Sequence, residues 1–186
     1  MLKIKWTYLI AIISTIVSGI LISCTSMQVN HSPPIKIDKF KKIAILPFRN
    51  MTETPQADER AASMTANLLR TKGITNIISY PNKSKQLTLI PGVKPSLATK
   101  QLLTWARKQN ASYALIGDVT EWNYKVGLDG EPAVGINLEL IDVENEMVVW
   151  SGTGSKSGGS RTALSDVALD LIQSMLQSLT SKGNQW

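Results

Sequence analysis

Val134-Gly135-Ile136-Asn137-Leu138-Glu139-Leu140-Ile141-Asp142-Val143-Glu144-Asn145-Glu146-Met147-Val148-Val149-Trp150 is the stretch that settles the kind of fold. Val134, Ile136, Leu138 and Leu140 fall on every second position, the period of a strand with one buried face. The run Asp142-Val143-Glu144-Asn145-Glu146 makes a turn, and a second strand follows from Met147 to Thr153. Together they predict an antiparallel hairpin.

Upstream, Tyr113–Tyr124 and Ile43–Phe48 read as further strands, the latter ended by Pro47 and Asn50. Between them, Ala57, Ala61, Met64 and Leu68 recur at helical spacing, with Gly73 as a stop, and Ile74–Tyr80 is a probable strand in pattern. Residues 82–95 receive no assignment beyond a turn at Pro91-Gly92. Ser96 can cap a second helix with Ala98, Leu102, Trp105 and Ala106 on one face. Downstream, Leu164, Val167, Leu171, Met175 and Leu179 form the stripe of a closing helix, with Ala168, Ile172 and Leu176 beside it. The expected fold is a single α/β domain over residues 43–181, with a mixed sheet of about four to six strands covered by helices and a short tail at 182–186.

The first 42 residues are of another kind. Lys3 and Lys5 precede an apolar stretch from Tyr8 to Ile22, and Leu21-Ile22-Ser23-Cys24 closes it. That order is a secretory signal over residues 1–23 with a lipoprotein cleavage site, after which Cys24 carries acyl chains. Each buried methylene contributes about 0.8 kcal/mol, so several chains hold a domain on a bilayer. The competing reading is an uncleaved membrane-spanning helix, for which the apolar core sits at the short limit. Thr25 after the cysteine, where Asp accompanies inner-membrane retention in many Gram-negative bacteria, favours the periplasmic face of the outer membrane. Residues 24–42 read as the acylated cysteine and a polar tether, stiffened by Pro33-Pro34.

Charge and composition narrow the function. The chain carries a net +6, of which Lys3 and Lys5 belong to the signal. No Lys/Arg run with interleaved aromatics is present, so nucleic acid is not an expected partner. Cys24 is the sole cysteine, which leaves no disulfide framework, and no cofactor or metal site is expected. The sole histidine, His31, lies in the tether and is assigned no role, so a nucleophile–base pair is lacking. Gly152–Gly159 lacks the spacing of a phosphate loop and reads as a flexible connection before the last helix. Paired carboxylates such as Asp118 with Glu121, or Asp129 with Glu131, suit a glycosidase in principle, but acidic loops are usually solvated surface. Catalysis is not expected.

What remains is binding or assembly. Between Gly117 and Glu146 stand Asp118, Glu121, Asp129, Glu131, Glu139, Asp142, Glu144 and Glu146 against Lys125 alone, while cations gather at Lys36–Lys42 and Lys83–Arg107. The domain has an acidic side. For Trp122 and Trp150 two readings stand, packing inside strands and contact with membrane or saccharide, since indole joins a flat apolar face to one polar group.

Ile43–Asn50, Tyr113–Val119 and Val148–Ser151 resemble a broad class of periplasmic lipoproteins that includes the curli channel CsgG and the penicillin-binding-protein activator LpoB. Glu121–Gly135, with Ser151–Gly158 and Ser160-Arg161, is similar to the PelC family, outer-membrane lipoproteins of Pel exopolysaccharide export, and the likeness runs from about Ile43 to Leu179. The resemblance implies a homo-oligomeric ring, twelve-fold in the family, beneath a β-barrel of the PelB type. It also implies an acidic lumen that guides a cationic, partly deacetylated polysaccharide, for which Asp118, Glu121, Asp129 and Glu131 are the candidates. Family members often carry an aromatic just before the Ser160-Arg161 pair, where this chain has Gly159, so that loop is given no membrane role. The alternative is an LpoB-like activator of a peptidoglycan synthase, which needs a long reach that an 18-residue tether, at most about 60 Å, supplies poorly. A curli-type pore needs spanning hairpins for which the sequence has no spare strands.

Overall fold

The computed structural model describes residues 25–81, 95–126 and 130–182. The signal segment, Cys24, the Pro91-Gly92 turn, Asp129 and Trp186 lie outside the described residues. The strands are β1 (Ser26–His31), β2 (Ile35–Asp38), β3 (Ile43–Ile45), β4 (Arg49–Asn50), β5 (Ile77–Ser79), β6 (Tyr113–Tyr124), β7 (Pro132–Asp142), β8 (Met147–Ser157) and β9 (Leu179–Lys182). The helices are α1 (Ala57–Thr71), α2 (Pro95–Lys108) and α3 (Leu164–Met175).

The main sheet has seven strands in the order β1-β8-β7-β6-β3-β5, with β4 beside β6. Its β3, β5 and β6 are parallel, and β6-β7-β8-β1 form an antiparallel run. Parallel neighbours require crossovers, and α1 and α2 supply them. The mixed α/β sheet is thus as the sequence predicts, with more strands than expected.

Alternation decides which face each strand buries. Leu115, Val119, Trp122, Val134, Ile136, Leu138, Leu140 and Trp150 point to one side, where α1 and α3 cover them with Ala61, Leu69, Val167, Leu171 and Met175. On the other side α2 covers only a corner, placing Leu102, Leu103 and Ala106 over Ala44, Leu46, Ala114 and Ile141. Trp105, expected on this face, is half-buried and meets Tyr80 edge-on at 4.7 Å. α1 carries Asp58 and Glu59 in its first turn, which suits the positive end of the helix dipole. It stops where Gly73 takes φ 82°, with Gly73 N–H bonded to Arg70 and Ile74 N–H to Leu69. That paired arrangement is the glycine stop the sequence predicts.

Four expectations need correction. The segment read as a tether belongs to the fold: β1 pairs antiparallel with β8, β2 pairs parallel with β9, and Ile37 is buried. Pro33-Pro34 makes a corner between them, and Val29, Ile35 and Ile37 are anchors in an otherwise polar stretch. The glycine-rich run after Trp150 is no flexible connection, since β8 continues through it to Ser157. A Cβ on Gly152 would stand 2.9 Å from the Trp150 ring, and one on Gly154 would stand 2.8 Å from Leu171. These glycines let a helix and an indole lie directly on the strand. The closing helix ends at Met175, and Leu179 starts β9 after one 3-10 turn.

The fourth correction concerns Trp122 and Trp150 as membrane or saccharide contacts. Trp122 is 2% exposed and Trp150 1%, and the Trp150 indole N–H donates to Ser178 Oγ at 2.8 Å. Both are core residues. Their strand positions share the helix-covered face with Leu140 and Val134, so neither ring can reach a surface ligand.

Candidate functional site on the open sheet face

Beyond the corner covered by α2, the second face of β6, β7, β8 and β1 is polar and carries no helix among the described residues. Register groups its side chains in rows across the strands. Asp118 stands opposite Asn137, Asn137 opposite Thr153 and Thr153 opposite Asn30. One row on, Glu139 stands beside Ser151, whose hydroxyl lies 3.1 Å from that of Ser32. On the other side Glu121 opposes Gly135, and Gly135 opposes Ser155. A β-bulge between Val119 and Glu121 keeps Trp122 facing inward and Glu121 outward. The Thr153 hydroxyl bonds to Asn137 Oδ1. A shallow depression of about 350 Å³ runs over Asn30, Ser32, Asp118, Asn137, Glu139, Ser151 and Thr153.

The carboxylates differ in their surroundings. Arg49, brought alongside β6 by β4, grips Asp118 with both carboxylate oxygens, Nε to Oδ1 at 2.5 Å and Nη2 to Oδ2 at 2.7 Å. That hydrogen bond raises the guanidinium pKa above its ordinary value against the opposing effect of burial, helped by the charges of Asp118 and Glu139. The charge of Asp118 is thus offset by a bound guanidinium. Glu121 is half-buried and Glu139 exposed, and neither has a bonded cation among the described residues. They are the free negative charges of this face.

The acidic run in the sequence does not form one cluster. Glu131 sits in the β6–β7 connection, where its carbonyl accepts from Lys125 N–H at 2.7 Å. Asp142, Glu144 and Glu146 sit at the opposite end of β7, about 33 Å away at the rise of a strand. There Asp142 Oδ1 accepts from the N–H of Glu144 and Asn145, and Glu146 pairs with Arg107 at 3.0 Å. Of the four sequence candidates, the structure places Asp118 and Glu121 on one face and Glu131 at its rim; Asp129 lies outside the described residues. Sequence reasoning counted Glu139 in the acidic strip without choosing it as a site residue, and missed Asn137. The signal was available, since they alternate with Ile136, Leu138 and Leu140.

The described residues form a mixed sheet with two helices on one face and one over a corner of the other. The lipoprotein GNA1162 from Neisseria meningitidis shares this fold, with a TM-score of 0.52 at 17% identity over 73% of this chain and 95% of that one. The PelC dodecamer from Paraburkholderia phytofirmans is 40% identical to this chain, with a TM-score of 0.72 over 84% of this chain and 100% of that one. A variant PelC dodecamer from the same organism, in a second crystal form, is again 40% identical, with a TM-score of 0.68 over 81% and 97%. The chain belongs to the PelC family. No family model matches it, and no curated protein matches it by sequence.

Proposed function

We propose that this chain is a non-enzymatic, lipid-anchored accessory of exopolysaccharide export, held at the periplasmic face of the outer membrane by acylated Cys24. It assembles with copies of itself into a closed ring beneath a β-barrel of the PelB type. The observation that carries this reading is the 40% identity to a PelC that forms a dodecamer, over that protein's whole resolved chain.

The open face supplies the chemistry. A polycationic sugar passing Glu121 and Glu139 meets weak, screened attractions, each too small to hold it and repeated once per copy. The hydroxyl and amide rows of Thr153, Ser155 and Asn137 offer hydrogen-bond partners to a polymer rich in hydroxyls. Glu131 and Asp129 place further charge on the β6–β7 connection. A synthase activator working at a distance is disfavoured, because β1 begins two residues after Cys24 and leaves almost no slack.

The test is secreted polymer from cells carrying Glu121→Gln with Glu139→Gln, beside cells carrying Asp129→Asn with Glu131→Gln. Reduced polymer at unchanged protein level is expected from both. Normal polymer from both would remove the acidic surface from the mechanism.

A further inference from the structure

One cross-sheet row joins the two edges of the main sheet: Met147 pairs with Asp142, Asp142 with Tyr113, Tyr113 with Ile43 and Ile43 with Ile77. Exposed apolar side chains stand at the β8 end of that row and just ahead of β3, near its other end.

At the β8 end, Met147 is 60% exposed, Val148 52% and Val149 36%. β1 pairs with β8 only from Gly152 onward, with further bonds from Ser32 N–H to the Ser151 carbonyl and from Ser151 N–H to Ser32 Oγ, before Pro33-Pro34 turns the chain away. The outer edge of Met147–Val149 therefore has no partner strand among the described residues. An apolar, unpaired edge of this kind is a template for contact with another chain. The exposed carboxylate of Glu144 flanks it.

At the β5 end the corner residue is Phe40, 78% exposed. Its carbonyl accepts from the Asn76 side chain at 3.0 Å, which fixes it just before β5 begins at Ile77. Exposed Lys39 and Lys41 flank it; the Lys39 ammonium lies 5.3 Å from the Phe40 ring centroid and the Lys41 ammonium 5.6 Å from that of Tyr113.

One edge is thus apolar with an acidic border, and the other apolar with a basic border. They stand at the same end of the sheet, Met147 on β8 and Phe40 just ahead of β3 beside the start of β5, three to four strand spacings or roughly 14–19 Å apart. Two unlike but complementary patches on opposite edges suit head-to-tail contact, which closes into a ring when the rotation allows. We propose that successive copies of this chain meet here: the Met147–Val149 edge of one copy seats against the Phe40 corner of the next, with Glu144 opposite Lys39 and Lys41. This rests on the ring reading above and names its contact. It also gives part of the acidic surface a role in assembly rather than in guiding polymer.

The experiment uses the full-length acylated chain in mild detergent and reads native mass. Wild type, Lys39→Glu with Lys41→Glu, and Glu144→Lys with Asn145→Lys are measured separately, and then the two variants are mixed in equal amounts. Each variant alone is expected to fall to small species, with at least a ten-fold rise in the concentration needed to assemble. The mixture is expected to regain the wild-type mass with both variants in equal share, which also shows that each is folded. Variants that keep the wild-type mass alone, or fail to rescue each other, overturn this contact and leave the ring standing. A monomeric wild type overturns the ring itself. As an independent readout, a chain carrying Phe40→Cys and Val148→Cys is expected to give a covalent ladder on oxidation, and a ring that yields no ladder overturns the contact.

Discussion

The two faces of β6, β7 and β8 are made by alternate residues of the same strands, yet they obey different rules. On the helix-covered face, shape governs: Trp150 lies over Gly152, Leu171 over Gly154, and Trp122, Ile136, Leu138 and Leu140 are enclosed. On the open face, Asn137, Glu139, Thr153 and Ser155 are surrounded by water and by one another. Changes on the first face should appear as stability, and changes on the second as function.

The comparison breaks or sharpens in order of effect. Leu171→Ala removes a fully buried side chain and is expected to cost roughly 2–5 kcal/mol in denaturant unfolding. A loss below about 0.5 kcal/mol would mean that α3 does not close the core. Gly152→Val forces a side chain into the Trp150 ring, and a loss of about 1–3 kcal/mol is expected with a shift in tryptophan fluorescence. An unchanged spectrum would refute the tight contact. Arg49→Ala breaks an ion pair whose arginine is largely exposed, so stability should change by only about 0–1 kcal/mol. The same change frees the Asp118 charge, so uptake of a cationic oligosaccharide by the assembled protein should rise; a fall would mean that Arg49 itself makes the contact. Glu139→Gln is the smallest, with stability within about 0.5 kcal/mol of wild type. A larger loss would show the open face to be structural.

Much of this was legible in the sequence because period two is strict where one face is buried. The hairpin of Val134–Trp150, the strand Tyr113–Tyr124, the helix ending at Gly73 and the stripe through Leu171 each follow from spacing alone. The N-terminal strands were harder to read. Ser26–His31 has one apolar anchor on the core, Val29, and a strand lying at the edge of a sheet needs little more. Its polarity and the nearby prolines therefore resemble those of a solvated linker. The glycines after Trp150 misled for a related reason. Composition registers their flexibility in a free chain, whereas the structure uses their lack of a side chain. The site was half legible: charge density pointed to Asp118 and Glu121, but only the register separates Glu139 from the acids of the distant turn. Nothing in linear order reveals that Arg49 cancels Asp118, because β4 reaches β6 from 69 positions away.

The start of β1 has a mechanical meaning. Were the chain held at Cys24 as proposed, a pull from that end would enter β1 first, where six register pairs from Ser26 to His31 join it to β8. Load applied that way shears all six pairs together instead of peeling them one at a time, and the prolines beyond them redirect the chain into the β2–β9 clasp. With the anchor proposed above at Cys24, a domain fastened so closely to its first strand would have little freedom to swing.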